Sequence, residues 1–323
     1  MAQLGTDITR AANLLVQGEL VAIPTETVYG LAANALDEKA VVKIFEVKNR
    51  PAFDPLIVHV QSVDCFDRYA RHIPENAMLL AEKVCPGPIT FVFDKKAVIP
   101  DLVTSGHPTV ALRVPNHALT LRLLQRLDFP LAAPSANPFG FVSPTTAMHV
   151  NDQLGEKLEY ILDGGPCQVG LESTIIDFSN NKKEVLRLGG MSLEFLEEIL
   201  GEKLAVKTSS SNPKAPGMLI SHYNPGKKVL VGHSISELLH ERIDELAQLQ
   251  IGILAFKNYH PGIDKSVQRV LSPSGNVTEA AKNFFTMLRE FNTHAVDVVL
   301  AEWLPNEGLG RAINDRLKRA SAK

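Results

Sequence analysis

The sequence predicts an α/β protein built from two domains. Short apolar runs typical of buried strands alternate with amphipathic stretches of helical spacing along most of the chain. The 323 residues exceed the usual size of one domain. A stretch rich in Ser, Pro, Gly and Asn, residues 202–226, is typical of a linker. We therefore expect a first domain over residues 1–201, this linker, and a second domain over residues 227–323.

The first domain is predicted to hold a twisted mixed sheet with flanking helices. A helix over residues 7–18 has Asp at its start and Gly at its end. Strands and helices then follow one another through LVAIP, DEKAVVKIFEVK, LIVHV, SVDCFDRYA, ENAMLLAEKV, ITFVFD, TVALRVP, HALTLRLLQRLD and SLEFLEEILG. The Gly-marked runs EYILDGG, STIIDFS and KEVLRLGG predict a largely antiparallel end to the sheet.

The second domain is predicted to be a small Rossmann-like parallel α/β unit. Strand patterns alternate with helical ones in KKVLVG, SISELLHERIDELAQ, QIGILAFK, VQRVLS, VTEAAKNFFTMLREF and VDVVLAEWLP. GLG at positions 308–310 could bind phosphate at a helix start, but a lone GxG more often simply begins a helix.

Composition excludes several classes of protein. The net charge is −7 over residues 1–204, with 18 Lys and Arg against 25 Asp and Glu, and +4 over the remainder, with 15 against 11. Neither part has the strongly basic character of a dedicated nucleic-acid binder. Three widely spaced cysteines indicate neither a disulfide framework nor a zinc site. With no signal-peptide core and no apolar run of bilayer length, we expect a cytoplasmic protein without membrane contact.

Polar side chains concentrate between residues 24 and 60. Thr27 follows the first apolar strand, Lys48 and Arg50 end a helix, and His59 lies inside the next strand. Each has an ordinary explanation. Thr27 could form a turn, Lys48 and Arg50 could complement the helix dipole, and His59 could be a hydrogen-bonded core histidine. Their combination in one strand–loop–helix–loop–strand unit indicates a small polar site.

A second polar stretch lies in APSANPFGFVSPTTA. Ser135, Asn137 and Ser143 offer hydroxyls and an amide, and Pro144 and Thr145 are expected to start a helix whose N–H groups could bind phosphate. The alternative is a tight loop, since these are turn-forming residues. In TVALRVP, strand alternation places Thr109 and Arg113 on one face, where Arg113 is either a solvated edge charge or a substrate ligand.

These motifs resemble those of the YrdC-like threonylcarbamoyl-AMP synthases, in a long form with an additional C-terminal domain. The resemblance runs through PTETVYGL, KxRP, PLIVH, PGPIT, ALRVPNH, APSANPFGFVSPTTA, GLESTIIDF, VLRLGG and APGMLISHYNP, and so covers most of residues 1–226. Two positions depart from the family pattern: Asn49 replaces the usual Gly, and Asp54 an expected Asn. A carboxylate only accepts hydrogen bonds, whereas an amide also donates.

The resemblance implies that L-threonine, bicarbonate or CO2, and ATP give threonylcarbamoyl-AMP and pyrophosphate. It implies Mg²⁺ with ATP, no organic cofactor, and no readable set of metal ligands. The product would pass to a tRNA threonylcarbamoyltransferase complex that makes N6-threonylcarbamoyladenosine, with weak or no direct nucleic-acid binding by this chain.

The resemblance also assigns residues. Lys48 and Arg50 would be the catalytic residues at the triphosphate, and we expect both to be exposed. The L-threonine pocket would comprise Thr27, His59, Arg113, Ala133 and Ser173. The ATP site would comprise Lys48, Arg50, Asp54, Thr109, Ser135, Asn137, Ser143, Arg187 and Tyr223. The segment containing HYNP would fold back over the active site as a lid.

Three other functions are alternatives to threonylcarbamoyl-AMP synthesis. An RNA-binding module would need a basic concave face, which the charge of −7 over residues 1–204 opposes. A regulatory sensor of amino acids or nucleotides could bind the same ligands without turnover. A carbamoyl transferase of the hydrogenase-maturation type would carry zinc-finger cysteine pairs, which three isolated cysteines cannot supply.

Overall fold

The computed structural model describes residues 1–209, 214–219 and 221–322. The chain divides into two compact units: the first contains residues 1–139 and 143–219, and the second contains residues 140–142 and the chain from residue 221. Positions 210–213 and 220 of the predicted linker lie outside the described residues. Within the described part, no helix is both long and apolar enough to cross a bilayer.

The first unit contains a twelve-stranded sheet. Its strands are β1 (Gln3–Gly5), β2 (Val21–Ile23), β3 (Gly30–Asn34), β4 (Ile57–His59), β5 (Ala70–Arg71), β6 (Ile89–Lys95), β7 (Thr109–Arg113), β8 (Leu131–Ala132), β9 (Tyr160–Leu162), β10 (Thr174–Asp177), β11 (Glu184–Arg187) and β12 (Ala205–Val206). They lie in the order β1-β9-β2-β3-β8-β4-β7-β6-β10-β11-β12, with β5 paired to β6.

Helices flank this sheet. They are α1 (Ile8–Val16), α2 (Glu38–Lys48), α3 (Phe66–Tyr69), α4 (Glu75–Val84), α5 (Asp101–Thr104), α6 (Ala118–Leu124), α7 (Ala147–Leu154) and α8 (Leu193–Leu200). The predicted mixed α/β fold is confirmed, since parallel and antiparallel pairs both occur in the sheet. Asp7 caps α1 as expected, because its carboxylate accepts the N–H groups of Thr9 and Arg10.

The expected antiparallel end of the sheet is wrong. Strand β9 runs parallel to both β1 and β2, β10 runs parallel to β6, and β11 runs parallel to β12. Only the β10–β11 pair of this group is antiparallel. The Gly-marked turns did not reveal strand direction, because β9, β10 and β11 each also pair with a strand farther away in sequence, where parallel pairing is possible.

The two faces of the sheet differ in chemistry. One face of β6 and β10 is covered by the rings of Phe66, Phe91, Phe93 and Phe178, with centroids 5.7–6.2 Å apart. Because side chains alternate along a strand, the neighbouring positions point to the opposite face. That face carries a smaller apolar cluster that includes Val92, Ala111 and Ile175 together with Met218.

The second unit has a four-stranded sheet in the order β13-β16-β14-β15, in which every pair is parallel, as predicted. Its elements are β13 (Lys228–Gly232), α9 (Ile235–Glu241), α10 (Ile243–Leu246), β14 (Ile251–Ala255), β15 (Gln268–Val270), α11 (Val277–Glu290), β16 (Val298–Glu302) and α12 (Gly308–Ser321). The GLG motif begins α12, and a Cβ on Gly310 would overlap the carbonyl oxygen of Pro305. Gly310 therefore allows the start of α12 to pack closely against Pro305.

The structure explains why Asn49 can replace the usual Gly of the family pattern. It caps the C-terminus of α2 with a left-handed backbone, φ 53° and ψ 44°, and its N–H donates to the carbonyl of Glu46. Glycine adopts this conformation without strain, and Asn is the residue that most often replaces it there. The substitution therefore preserves the turn that leads from Lys48 to Arg50.

We expect Asn49→Gly to leave stability within a few tenths of a kcal/mol, whereas Asn49→Ala should cost about 1 kcal/mol because Ala tolerates the left-handed region poorly. For a unit of this size the Ala variant should lower Tm by about 2–4 °C. Thermal unfolding of the three proteins measures the difference. Equal Tm for the Ala and Gly variants would contradict this explanation.

Candidate functional site

Parallel pairing of β4 and β7 brings His59 directly opposite Arg113. Strand β7 lies between β4 and β6 inside the sheet, so Arg113 is not an edge charge. The side chains of both residues are almost completely buried, at 2% and 4% exposure. Residues opposite each other in register share a face, so the imidazole and the guanidinium lie on one side of the sheet.

Arg113 is held from one side only. Its Nη2 donates to Glu26 Oε1 and to Thr27 Oγ1, each at 2.8 Å. The other oxygen of Glu26 accepts the N–H of Asn116 at 3.0 Å. Arg113 Nε is buried and has no hydrogen-bond partner within the described part of the chain. A buried donor left unpaired is costly, so this atom indicates a place for an acceptor such as a carboxylate.

Glu26 was not among the predicted site residues. It lies beside Thr25 and Thr27, where the hydroxyls suggested turn chemistry, and only 6% of it is exposed. A buried acid requires a cation or several donors, so an acid next to a buried strand was the available signal. The structure identifies Glu26 as the residue that orients Arg113.

His59 is a neutral residue of this site. Its Nδ1 lies 3.3 Å from the carbonyl oxygen of Ile57. Burial, with a smaller contribution from the charge of Arg113, lowers the pKa of His59 to about 3. The ring is therefore uncharged at neutral pH. Ala133 is close in the fold, since its N–H also donates to the carbonyl of Ile57, at 3.0 Å.

Ser173 and Arg187 connect the sheet to the segment over residues 214–219. Ser173 Oγ lies 2.7 Å from Thr90 Oγ1 and accepts from Arg187 Nη2 at 3.0 Å. Arg187 Nη1 donates to the carbonyl of Pro216 at 3.2 Å. Met218 is buried with Ala111 and other side chains of the same sheet face. Part of the predicted linker thus packs over the face that carries Arg113.

Lys48 and Arg50 are buried, and the expectation that they are exposed is wrong. Lys48 is 1% exposed and Arg50 is 8% exposed. Lys48 Nζ donates to the carbonyls of Ser135, at 2.5 Å, and Asn137. Burial, together with the charge of Arg50, places the pKa of Lys48 well below its usual value. Sequence periodicity could not show this, because the carbonyls come from a loop 87 residues away.

Asp54 is the counter-ion of Arg50. Its Oδ2 lies 2.9 Å from Arg50 Nη2, and Arg50 also donates to the carbonyls of Asp54 and Pro55 at 3.0 and 2.9 Å. Burial raises the pKa of Asp54, against the opposing charges of Arg50, Lys48 and Arg187. A carboxylate therefore has a structural reason to replace the expected amide: it neutralises part of a buried group of cations.

The predicted helix start at Pro144 and Thr145 is wrong, because it lies three residues before the first residue of the helix. Helix α7 begins at Ala147, and Thr146 is its N-cap, with Oγ1 accepting the N–H of His149 at 3.2 Å. The preceding chain is used elsewhere, since the carbonyl of Pro144 accepts the N–H of Tyr29 at 2.8 Å. These two residues therefore form a loop that packs against the entry to β3.

Ser143, Thr109 and Tyr223, which were also predicted to contact the nucleotide, lie in three different environments. Ser143 Oγ donates to Glu172 Oε1 at 2.7 Å, and Thr109 Oγ1 is buried with no partner among the described residues. Tyr223 belongs to the second unit, where its ring centroid lies 5.4 Å from that of Phe285. The role of Tyr223 at ATP stays a prediction.

The first unit therefore contains two clusters that include predicted residues. In one, the predicted residues Arg113, Thr27 and His59 lie with Glu26, which was not predicted, and in the other Lys48 lies with Arg50 and the loop from Ser135 to Asn137. Within the described residues, no group of three or more His, Cys, Asp or Glu side chains could hold a metal ion. Such an arrangement can bind a carboxylate at one cluster and a polyanion at the other by positioning and charge.

Comparisons with known proteins agree with this chemistry. A model for the Sua5, YciO and YrdC proteins, described as "Telomere recombination", matches residues 13–189. A second model, described as "Threonylcarbamoyl-AMP synthase, C-terminal domain", matches residues 191–322.

Two relatives and one crystal structure cover nearly the whole chain. The threonylcarbamoyl-AMP synthase of Pyrococcus abyssi is 41% identical over 96% of this chain and 93% of its own length. That of Bacillus subtilis is 35% identical over 97% and 92%. The crystal structure of P. abyssi Sua5 complexed with L-threonine superimposes with a TM-score of 0.89, covering 97% of this chain and 94% of that one. The chain belongs to the threonylcarbamoyl-AMP synthase family.

Proposed function

We propose that this chain makes L-threonylcarbamoyl-AMP and pyrophosphate from L-threonine, bicarbonate or CO2, and ATP, for the N6-threonylcarbamoyladenosine modification of tRNA. The observation that carries this proposal is the buried Nε of Arg113, which has no hydrogen-bond partner among the described residues and lies on the same side of the sheet as the neutral ring of His59. This donor suits an amino-acid carboxylate. Further support comes from the relative that binds L-threonine, which is 41% identical to this chain.

Threonine would bind with its carboxylate on Arg113. Glu26 and Thr27 fix Nη2 of that guanidinium, so Nε keeps a defined direction toward the ligand. His59, Ala133 and Ser173 would complete the pocket. Because His59 is uncharged, it would line the pocket and offer hydrogen bonds. We assign it no role as an acid at neutral pH.

The chemistry would proceed in two bond-forming steps. The neutral amine of threonine attacks CO2, an N–C bond forms, and the nitrogen loses a proton to give the N-carboxylate. An oxygen of that carboxylate then attacks the α-phosphorus of ATP while the bond to pyrophosphate breaks. Neither step uses a covalent enzyme intermediate, so catalysis depends on positioning and on stabilisation of charge.

Lys48 and Arg50 would provide that stabilisation. Arg50 and Lys48 would each present a positive charge to the triphosphate. Both are enclosed by protein, where electrostatic interactions are stronger than in water. The nucleotide would also contact a wider set of residues: Asp54, Thr109, Ser135, Asn137, Ser143, Arg187 and Tyr223.

Mg²⁺ forms part of this proposal as the counter-ion of ATP. It would be held by phosphate oxygens and water, which is the usual arrangement for nucleotide magnesium. We assign no protein ligand to it. The acyl-phosphate anhydride product is reactive, so a tRNA threonylcarbamoyltransferase would have to take it up promptly. A reducing cytoplasm fits the free state of Cys65, Cys85 and Cys167.

The activity is tested by following pyrophosphate release from ATP with purified protein. We expect release to require both L-threonine and bicarbonate, and to fall when L-serine replaces threonine. ATP binding without any threonine-dependent release would contradict the proposed reaction and would favour a sensor of amino acids or nucleotides.

Lys48→Met keeps the length of the side chain and removes its charge. We expect pyrophosphate release to fall by about 100-fold or more, because the charge on the triphosphate loses a positioned cation. Tm should fall by a few degrees, because the carbonyls of Ser135 and Asn137 lose their donor. The measurements are kcat, at a temperature well below Tm, and Tm itself.

Lys43→Met is the matched control for this variant. Lys43 lies on the same helix, is 38% exposed and pairs with Glu19 at the surface. Surface pairs contribute little, so kcat and Tm should stay near the values of the unmodified chain. A folded Lys48→Met protein with normal kcat would remove Lys48 from the catalytic machinery.

The depressed pKa of His59 predicts a pH-dependent stability. The unfolded chain protonates this residue near pH 6.5 and the folded chain only near pH 3, so its contribution is fully present above pH 6.5 and is lost as pH falls toward 3. This loss should be on the order of a few kcal/mol. His59→Asn cannot titrate, so its stability should fall less over that range. Urea denaturation at a series of pH values measures the free energy of unfolding of both proteins. If this free energy falls equally with pH in the two proteins, His59 is not buried in its neutral form.

A further inference from the structure

The second unit contains a cavity of its own. It has a volume of about 710 Å³ and lies beyond the carboxyl ends of β13, β14 and β16. Its lining includes His233 after β13, Phe256 and Lys257 after β14, and Glu302, Trp303 and Asn306 at and after β16. The volume falls in the range of about 300–1,000 Å³ that is usual for small-molecule sites. The site chemistry of the first unit uses none of these residues.

The topology of the sheet places this cavity where parallel α/β units bind ligands. Helix α9 covers one face, since Ile235 and Leu238 pack with Ile253 and Leu300. The opposite face is covered by the end of α11, because a Cβ added to Gly252 would meet Phe291. Helix α12 packs against α11. The chain therefore leaves the neighbouring strands β13 and β16 toward opposite faces, which opens a crevice between their carboxyl ends.

The aromatic side chains at this crevice suit a planar ligand. Phe256 and Trp303 are both only partly buried although they are large and apolar. The Trp303 backbone is fixed, since its N–H donates to the carbonyl of Gly232 at 2.9 Å. Aromatic rings that line a cavity can stack on nucleobases, and such stacking depends little on base identity.

The polar groups match the remainder of a nucleotide. Glu302 accepts the N–H of Phe256 through Oε2 at 3.0 Å, which orients the carboxylate at the end of its strand. An acidic group in that position of a Rossmann-like sheet suits the vicinal hydroxyls of a ribose. Lys257 is exposed and makes no ion pair within the described part of the chain, so its ammonium is available to a phosphate.

We propose that this cavity is a nucleoside-phosphate site, in which the base stacks on Trp303, the ribose hydroxyls bind Glu302 and the phosphate binds Lys257. A free amino acid could use Glu302 and Lys257 but would leave both aromatic faces and much of the volume unoccupied. Inorganic phosphate would use Lys257 alone. The combination of ring, acid and cation therefore favours the nucleotide.

Trp303 is the single tryptophan of the sequence, so its fluorescence reports on this cavity alone. We would titrate the full-length protein with AMP and with GMP, and measure bound radiolabelled nucleotide by equilibrium dialysis in parallel. We expect saturable quenching of Trp303 by at least one of the two nucleotides. Lys257→Ala and Glu302→Gln should each weaken the affinity by about tenfold or more, since each removes a charged partner of the ligand.

Lys282→Ala is the matched control, because it removes an exposed lysine of the same unit that does not line the cavity. Its affinity should equal that of the unmodified chain. Pyrophosphate release by each variant reports whether the chain is folded. The proposal is overturned if millimolar AMP and GMP leave Trp303 unchanged and dialysis gives the same stoichiometry for Lys257→Ala as for the unmodified chain. It is also overturned if quenching persists at unchanged affinity in both cavity variants.

Discussion

The buried ion pair between Arg113 and Glu26 is the interaction on which the site depends. A guanidinium inside a sheet is unfavourable unless its charge and its donors are matched, and Glu26 with Thr27 satisfies only one side of it. Arg113 is only 4% exposed, and its Nε is buried without a hydrogen-bond partner among the described residues. The remaining donor then favours a ligand that brings its own negative charge. The same cation helps to keep His59 neutral.

Buried charges are also matched in the cluster of Lys48 and Arg50. The charges of Lys48, Arg50 and Arg187 oppose the rise in the pKa of Asp54, and each of these three cations also donates to a backbone carbonyl. These contacts tie together segments that are distant in sequence, namely the end of α2, the loop after β8 and residues 214–219. An incoming triphosphate would therefore meet cations that are already positioned, which reduces the reorganisation needed in the transition state.

Much of the fold could be predicted from local pattern. Strand alternation correctly placed Thr109 and Arg113 on one face, and Asp7 correctly marked the start of α1. Strand direction at β9 and β10 could not be predicted, because it depends on partners far away in sequence. The burial of Lys48 and the role of Glu26 were missed for the same reason. Their partners are Ser135, Asn137 and Arg113, which no local spacing connects to them.

The most direct test of the central claim is calorimetric titration of the full-length protein with L-threonine and with L-threoninol, which lacks the carboxylate. If Arg113 Nε receives that carboxylate, the unmodified chain should bind threonine about 100-fold more tightly than threoninol, as expected for a charge-assisted pair in a buried site. Arg113→Gln should bind the two ligands with similar, weak affinity. Equal affinity of the unmodified chain for threonine and threoninol would contradict the assignment.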